Sequence, residues 1–330
     1  MEFKEFIGID VSKSHLDIFM YTKGQHIRLP NTISGLDKMI NWIWRLIDLT
    51  PTKVLFGFEH TGLYSLPLSL FLDEKHYCFT IIPGLQLKRS RGIVRGKNDK
   101  ADAKGIAEYI YEKREKITLC QMPSTTILKL KRLLSFRERM VKERAAFKGR
   151  LKEYKSFLAP EEHKVLFDCH HQSITHLDQQ IEKVEAELYK LLKEDEKLVK
   201  QFKLINTIKG VGPQTALLLI VLTGGFTQFE AWRKFASYSG VAPFPNESGT
   251  IIRKHKISHL ANKRMKAILS CCACSAIKHN PEMRMYYEKR VSQGKHKMST
   301  LNIIRNKLLA RIFAVVKRET PYVEIFNYAA

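Results

Sequence analysis

Two apolar runs near the start of the chain each end in a carboxylate. Phe6-Ile7-Gly8-Ile9 leads into Asp10, and Val54-Leu55-Phe56-Gly57-Phe58 leads into Glu59. Short, continuous runs rich in β-branched and aromatic residues read as strands buried on both faces, so each acid stands where a strand leaves the core. Between and after them the pattern alternates. Phe6–Asp10, Leu16–Tyr21 and His26–Leu29 are joined by connections short enough for an antiparallel meander. A helix with Ser34 as its N-cap follows through Leu36, Met39, Ile40, Ile43 and Ile47. Then come a strand at Lys53–Phe58, a helix at Leu63–Leu72, a strand at Cys78–Ile82, a basic loop and a helix opened by Asp99.

Strands joined through helices are normally parallel, with right-handed crossovers that place them beside the first strand. The order βββαβαβα is that of a ribonuclease-H-like α/β fold. It predicts Asp10 and Glu59 on neighbouring central strands, with the last helix able to reach them.

That helix carries Asp99 and Asp102, three residues apart and so on one face. Carboxylates gathered in this way repel unless a cation lies between them, and hard divalent ions take oxygen ligands. The chain as a whole has a formal charge of +23 over 330 residues. A strongly basic protein that collects acids in one place reads as one that handles phosphodiesters with Mg²⁺.

An anionic membrane surface is the rival partner for such charge, but no apolar run approaches the ~18 residues of a membrane span, and no basic amphipathic anchor stands out. Met1-Glu2-Phe3-Lys4-Glu5 lacks a signal-peptide layout, and the expectation is a cytoplasmic protein. Six cysteines show no framework spacing. Cys271, Cys272 and Cys274 lie in an Ala-rich helical run and read as small buried residues, with zinc binding as the weaker reading.

The chain divides into an acidic α/β domain (1–120), a helical coiled-coil or dimerisation region (121–202) and a mostly helical C-terminal domain (203–330). In the middle region Ile174, Leu177, Ile181, Val184, Leu188, Leu191, Leu198, Phe202 and Ile205 step by threes and fours, with Asp195 interrupting the seam. Dimerisation through this seam and a helical hairpin acting only as a spacer are both compatible with the pattern. Beyond it, Ile208-Lys209-Gly210-Val211-Gly212-Pro213 has the turn of a helix-hairpin-helix, which either brings backbone N–H groups to a phosphate or is a structural turn. From Arg253 to Arg318 there are seventeen Lys/Arg against two acids, the footprint of a nucleic-acid surface.

The motifs taken in order resemble the DEDD-type transposases of bacterial insertion sequences, recombinases that use a bridge RNA as guide. The resemblance runs through Gly8-Ile9-Asp10-Val11-Ser12-Lys13, Glu59-His60-Thr61-Gly62, Lys97-Asn98-Asp99-Lys100-Ala101-Asp102-Ala103, Gly210–Ala216, Tyr238–Pro243, Glu247-Ser248-Gly249, Gly294-Lys295 and Asn306–Leu309. His296 and Gly225 depart from the usual pattern.

The resemblance implies a RuvC-type resolvase domain with Asp10, Glu59, Asp99 and Asp102 as a tetrad holding Mg²⁺, expected as two ions. It also implies a nucleophilic serine, for which Ser248 is the matching position. Read locally, Pro245–Gly249 is an ordinary loop turn, and Ser237 and Ser239 are competing serines whose hydroxyls are expected to bond the nearby backbone. Lys97, Lys100, Gly210, Gly212, Arg253 and Lys254 are the expected nucleic-acid contacts. The implied partners are donor and target DNA, a structured guide RNA and further copies of the chain, as a homodimer or dimer of dimers. A Holliday-junction-resolvase-like nuclease using water is the alternative, and a non-catalytic nucleic-acid scaffold is the third.

Overall fold

The computed structural model describes residues 2–90, 98–248, 251–257 and 260–323, of which 245–248 and 251–257 are described through their backbone alone. It forms two compact units, Met1–Met122 and Pro123–Ala330.

The first unit is built on a five-stranded mixed sheet. β1 (Glu5–Val11), β2 (His15–Met20) and β3 (Gln25–Pro30) form the antiparallel meander. After α1 (Ile33–Leu46), β4 (Val54–Glu59) pairs parallel with β1. After α2 (Leu66–Glu74), β5 (Cys78–Ile82) pairs parallel with β4, which gives the order β3-β2-β1-β4-β5. The central strands are buried nearly throughout because both faces are covered. On one face Ile7, Ile9, Phe56, Phe58 and Phe79 pack with Leu36, Met39 and Ile43 of α1 and with Leu68 and Leu72 of α2. On the other lies α4 (Asp99–Glu112), whose Ile106, Tyr109 and Ile110 pack on Phe6, Leu55 and Ile82.

Two local expectations are corrected. α1 is capped by Thr32, whose side chain accepts from the Gly35 N–H at 3.2 Å, so Ser34 lies inside the first turn. The start of the expected basic loop is α3 (Gly84–Ser90), a short helix between β5 and the residues before α4.

In the second unit α5 (Thr125–Phe157) and α6 (Lys164–Lys193) pair as an antiparallel hairpin. The ion pairs define the direction: Arg137 meets Glu185 at 2.6 Å, while Arg144 and Lys148 farther along α5 meet Asp178 farther back on α6. Of the heptad positions, Ile174, Ile181, Leu188, Leu191, Leu198 and Ile205 are buried within the chain. The seam does not run on as one helix. α6 ends at Lys193 and α7 (Glu196–Asn206) begins anew, with the Asp195 carboxylate accepting from the Leu198 N–H at 3.1 Å. Asp195 is therefore an N-cap and not a polar interruption of a coiled coil, because a short acceptor side chain satisfies a free helix N–H better than it fills a seam.

The core of this unit surrounds α8 (Pro213–Leu222), which is apolar all round and buried from Thr215 to Val221. Packed about it are the N-terminal part of α5, α7, α9 (Trp232–Tyr238), α10 (Lys263–His279), α11 (Pro281–Ser292) and α12 (Lys297–Arg318). A hairpin of β6 (Pro243–Ser248) and β7 (Ile251–Ile257) lies between α9 and α10 in sequence. Of the cysteine cluster Cys272 is buried, but Cys271 and Cys274 are exposed, because neighbouring positions on a helix face different ways. Among the described residues no helix is long and apolar enough to cross a membrane.

Candidate active site

The acid cluster depends on two glycines. A Cβ on Gly8 would lie 2.2 Å from the Ala103 carbonyl oxygen and 2.4 Å from the Ala107 nitrogen, so α4 crosses β1 in direct backbone contact. A Cβ on Gly57 would meet Ile110 at 2.6 Å. Side chains alternate along a strand, so Asp10 shares the α4 face with Gly8, and Glu59 shares it with Gly57. The helix that presses on the glycines therefore brings its first turn to the acid end of the sheet. Asn98 caps that turn by accepting from the Lys100 N–H at 3.1 Å, which leaves Asp99 and Asp102 at the positive end of the helix dipole.

Asp10, Asp99 and Asp102 each offer a carboxylate oxygen, and the three atoms lie within 4.8 Å of one another. Desolvation, followed by the charges of Asp102, Asp99, Asp17 and Glu59, raises the Asp10 pKa from its ordinary 3.8 to about 6. Burial and neighbouring negative charge both favour the neutral form of a carboxyl. Convergent oxygen donors with one carboxylate resisting ionisation fit a hard divalent cation. Glu59 faces the same side but lies outside the group of three. Its carboxylate packs on Gly84, at the start of α3, where a Cβ would sit 2.1 Å from its Oε1.

Three residues of the site escaped the sequence reading. Asp17 pairs with Asp10 in the β1–β2 register, is almost fully buried, and accepts from His26 Nε2 at 2.9 Å and from Arg28 Nε at 3.0 Å. The guanidinium of Arg28 continues to Asp99, where its NH2 donates to Oδ2 at 2.5 Å. Arg28 thus holds one oxygen of a cluster carboxylate from a neighbouring strand. The available signal was the placing of Asp17, His26 and Arg28 at alternate positions of the two outer meander strands, on the face opposite Leu16, Ile18 and Met20. Asn31 also contributes: its amide donates to the carbonyls of Ser12 and Tyr64, tying the turn after Asp10 to the loop after Glu59.

The expected nucleic-acid residues fare unevenly. Lys100 is exposed beside the acids, and Lys97 lies outside the described residues. Gly210 has φ +96° and its Cβ would meet Ala276 of α10 at 2.7 Å, so turn geometry and helix packing already require glycine there. Gly212 opens α8 with free space where a Cβ would stand. Arg253 and Lys254 lie on β7, next to an irregularity in its pairing with β6. Ser248 ends β6, paired with Ile251, so its setting is a β-hairpin end and not an isolated loop turn. Ser239 is fully buried and its hydroxyl has no partner among the described residues, where a backbone bond was expected.

Comparison with known proteins gives a consistent result. Residues 7–157 match the family profile DEDD_Tnp_IS110, described as a transposase. Residues 202–288 match a profile described as transposase of the IS116/IS110/IS902 family. The pilin gene-inverting protein of Moraxella lacunata is 27% identical over 97% of this chain and 98% of its own length. The transposase for insertion sequence element IS1111A of Coxiella burnetii is 25% identical over 68% of each. An uncharacterized protein of insertion element IS110 from Streptomyces coelicolor is 30% identical over 36% of this chain and 29% of its own.

Proposed function

Because the chain belongs to the DEDD-type transposases of the IS110 family and so is a DNA transposase, we propose that it cuts and rejoins DNA through a covalent phosphoserine, at sites selected by a structured guide RNA. The observation that carries the reading is the convergence of Asp10, Asp99 and Asp102 at the end of the sheet, with the Asp10 carboxyl held partly protonated near neutrality. These three residues, with Glu59 at the rim, would hold Mg²⁺. When bound, the ion supplies Lewis-acid stabilisation of charge on phosphodiester oxygens.

The chain's own groups have separate tasks. Asp10, Asp99 and Asp102 bring acceptor oxygens to one point, and Arg28 fixes which oxygen of Asp99 is turned away toward Asp17. The Ser248 hydroxyl is the proposed nucleophile. Its oxygen bonds to phosphorus, the bond from phosphorus to the 3′ oxygen breaks, and that oxygen leaves as a 3′-hydroxyl carrying the proton that serine gave up. The phosphoester so formed keeps the bond energy needed for rejoining, and the reverse attack by a new 3′-hydroxyl releases the serine.

A relative named for inverting a gene supports rejoining, since an inverted segment must be sealed at both ends. The basic stretch Arg253–Arg318 suits DNA and guide RNA alike, and the proposed assembly is a homodimer or dimer of dimers.

The test is adduct capture. Labelled DNA carrying the recognition ends is incubated with protein, guide RNA and Mg²⁺, then denatured. A labelled protein band that Ser248→Ala loses supports the serine mechanism. Clean DNA ends without adduct, equally abundant with Ser248→Ala, would replace it with the water-using nuclease.

A further inference from the structure

α12 carries a guanidinium without a counter-charge among the described residues. Arg305 is only 6% exposed. Its NH1 donates to the Asn302 side-chain oxygen at 3.3 Å, and its Nε is buried without a partner among the described residues. Two other arginines of this unit are treated differently: Arg264 on α10 pairs with Glu138 and Arg311 on α12 with Glu282. Arg305 has no carboxylate within ion-pair distance among the described residues. Burial also depresses its pKa below the usual arginine range, the sign of a cation that has lost water and gained little in return. An uncompensated buried charge is strongly destabilising, so a guanidinium kept in such a place calls for an anion that the described residues do not supply.

The surroundings show where the anion would come from. Asn302 and Asn306, on the same side of α12, both donate to the Val241 carbonyl, at 2.8 and 3.0 Å. They pin the turn that follows α9 against the helix. Both asparagines are partly exposed, so the buried Arg305 guanidinium, bonded through NH1 to Asn302, lies one side chain from the surface. The chain from Arg253 to Arg318 is strongly basic, with seventeen Lys/Arg against two acids, which favours a polyanion as the missing partner. The planar fork of donors matches two oxygens of one phosphate.

We propose that Arg305 is an anchor for a single nucleic-acid phosphate, received at the rim formed by Asn302, Asn306 and the Val241 turn. The proposal rests on the nucleic-acid reading above and adds one defined contact to it. The phosphodiester is common to DNA and RNA, so the experiment has an arm for each.

Binding of the full-length protein to a ~30-bp duplex of arbitrary sequence and to a single-stranded RNA is measured from 50 to 200 mM salt, for wild type, Arg305→Met, Arg305→Gln and Arg305→Lys. The neutral variants are expected to lower the log–log salt slope by about 0.9 on duplex or about 0.7 on single strands. On duplex the affinity advantage of wild type should then shrink about 3.5-fold across that range. Arg305→Lys should keep the slope. Arg305→Met should also unfold at the same or a higher temperature than wild type, since it removes the buried charge. A lowered slope in one arm alone assigns the contact to that nucleic acid. Folded neutral variants with the wild-type slope in both arms would overturn the anchor. Wild type without any salt-dependent binding would instead overturn the nucleic-acid reading itself.

Discussion

In the N-terminal unit three carboxylates face one another at the end of a sheet, and a guanidinium from a neighbouring strand holds one of them. In the C-terminal unit a guanidinium is covered by protein and faces no carboxylate among the described residues. Both arrangements store unfavourable electrostatics, with opposite signs. They differ in how the fold enforces them. The acids are gathered by backbone packing, because α4 can lie on β1 only where Gly8 meets Ala103 and Ala107. Arg305 is held by side-chain bonds between α12 and one turn. A site set by backbone contact tolerates little substitution nearby, whereas one set by side chains can be neutralised without loss of the fold.

The largest effect should come from the acids. Asp10→Asn or Asp102→Ala is expected to lower strand cleavage by roughly 10³-fold while DNA affinity changes little, because the cluster is repulsive and folding does not need it. A gel assay run beside a binding isotherm decides this. Gly8→Val tests the backbone argument. Its side chain would enter the α4 backbone, and we expect a loss of ~3 kcal/mol in chemical denaturation, together with loss of divalent-ion binding. Retained stability and retained ion binding would mean that α4 can slide.

The pH response separates the two units further. The Asp10 pKa is raised in the folded state to about 6, so its contribution to metal-free stability is fully present below the ordinary value of 3.8 and is lost as pH rises through about 6. Metal-free wild type should therefore lose stability relative to Asp10→Asn between pH 4 and 7, and Mg²⁺ should restore it. Parallel pH curves for the two proteins would remove the cluster as the source of strain.

Smaller effects belong to the helical unit. Asp195→Ala should cost ~1 kcal/mol through the lost N-cap of α7, and Asp195→Leu should destabilise as well, the opposite of what a coiled-coil seam would give. Gly149→Ala, in the interior of α5 with open space where its Cβ would stand, should stabilise by ~0.5–1 kcal/mol. That gain is the counterpart of the loss at Gly8, and equal responses at the two positions would mean that close approach of α4 is not what Gly8 provides.

The comparison also explains what could be read in advance. Asp10 and Glu59 were legible because each follows a strand apolar enough to be recognised on its own. The β-strand order was legible for the same reason, with β5 found at its exact bounds. Asp17 and Arg28 were not, since their importance depends on β2–β3 register and on α4 crossing the sheet. The close approach of Glu59 to Gly84 was likewise invisible to spacing, since it depends on how α3 follows β5. In the second unit a periodic run hid a helix break at Asp195, because α6 and α7 continue the same apolar rhythm. Arg305 looked like any other arginine of a basic helix. Only burial distinguishes it.

The central claim is that Asp10, Asp99 and Asp102 form one divalent-ion site, and calorimetric titration of the metal-free full chain with Mn²⁺ tests it most directly. The account predicts saturable binding by wild type, lost in Asp10→Asn and in Asp102→Asn while far-UV circular dichroism stays unchanged. Wild-type isotherms from both variants would contradict it.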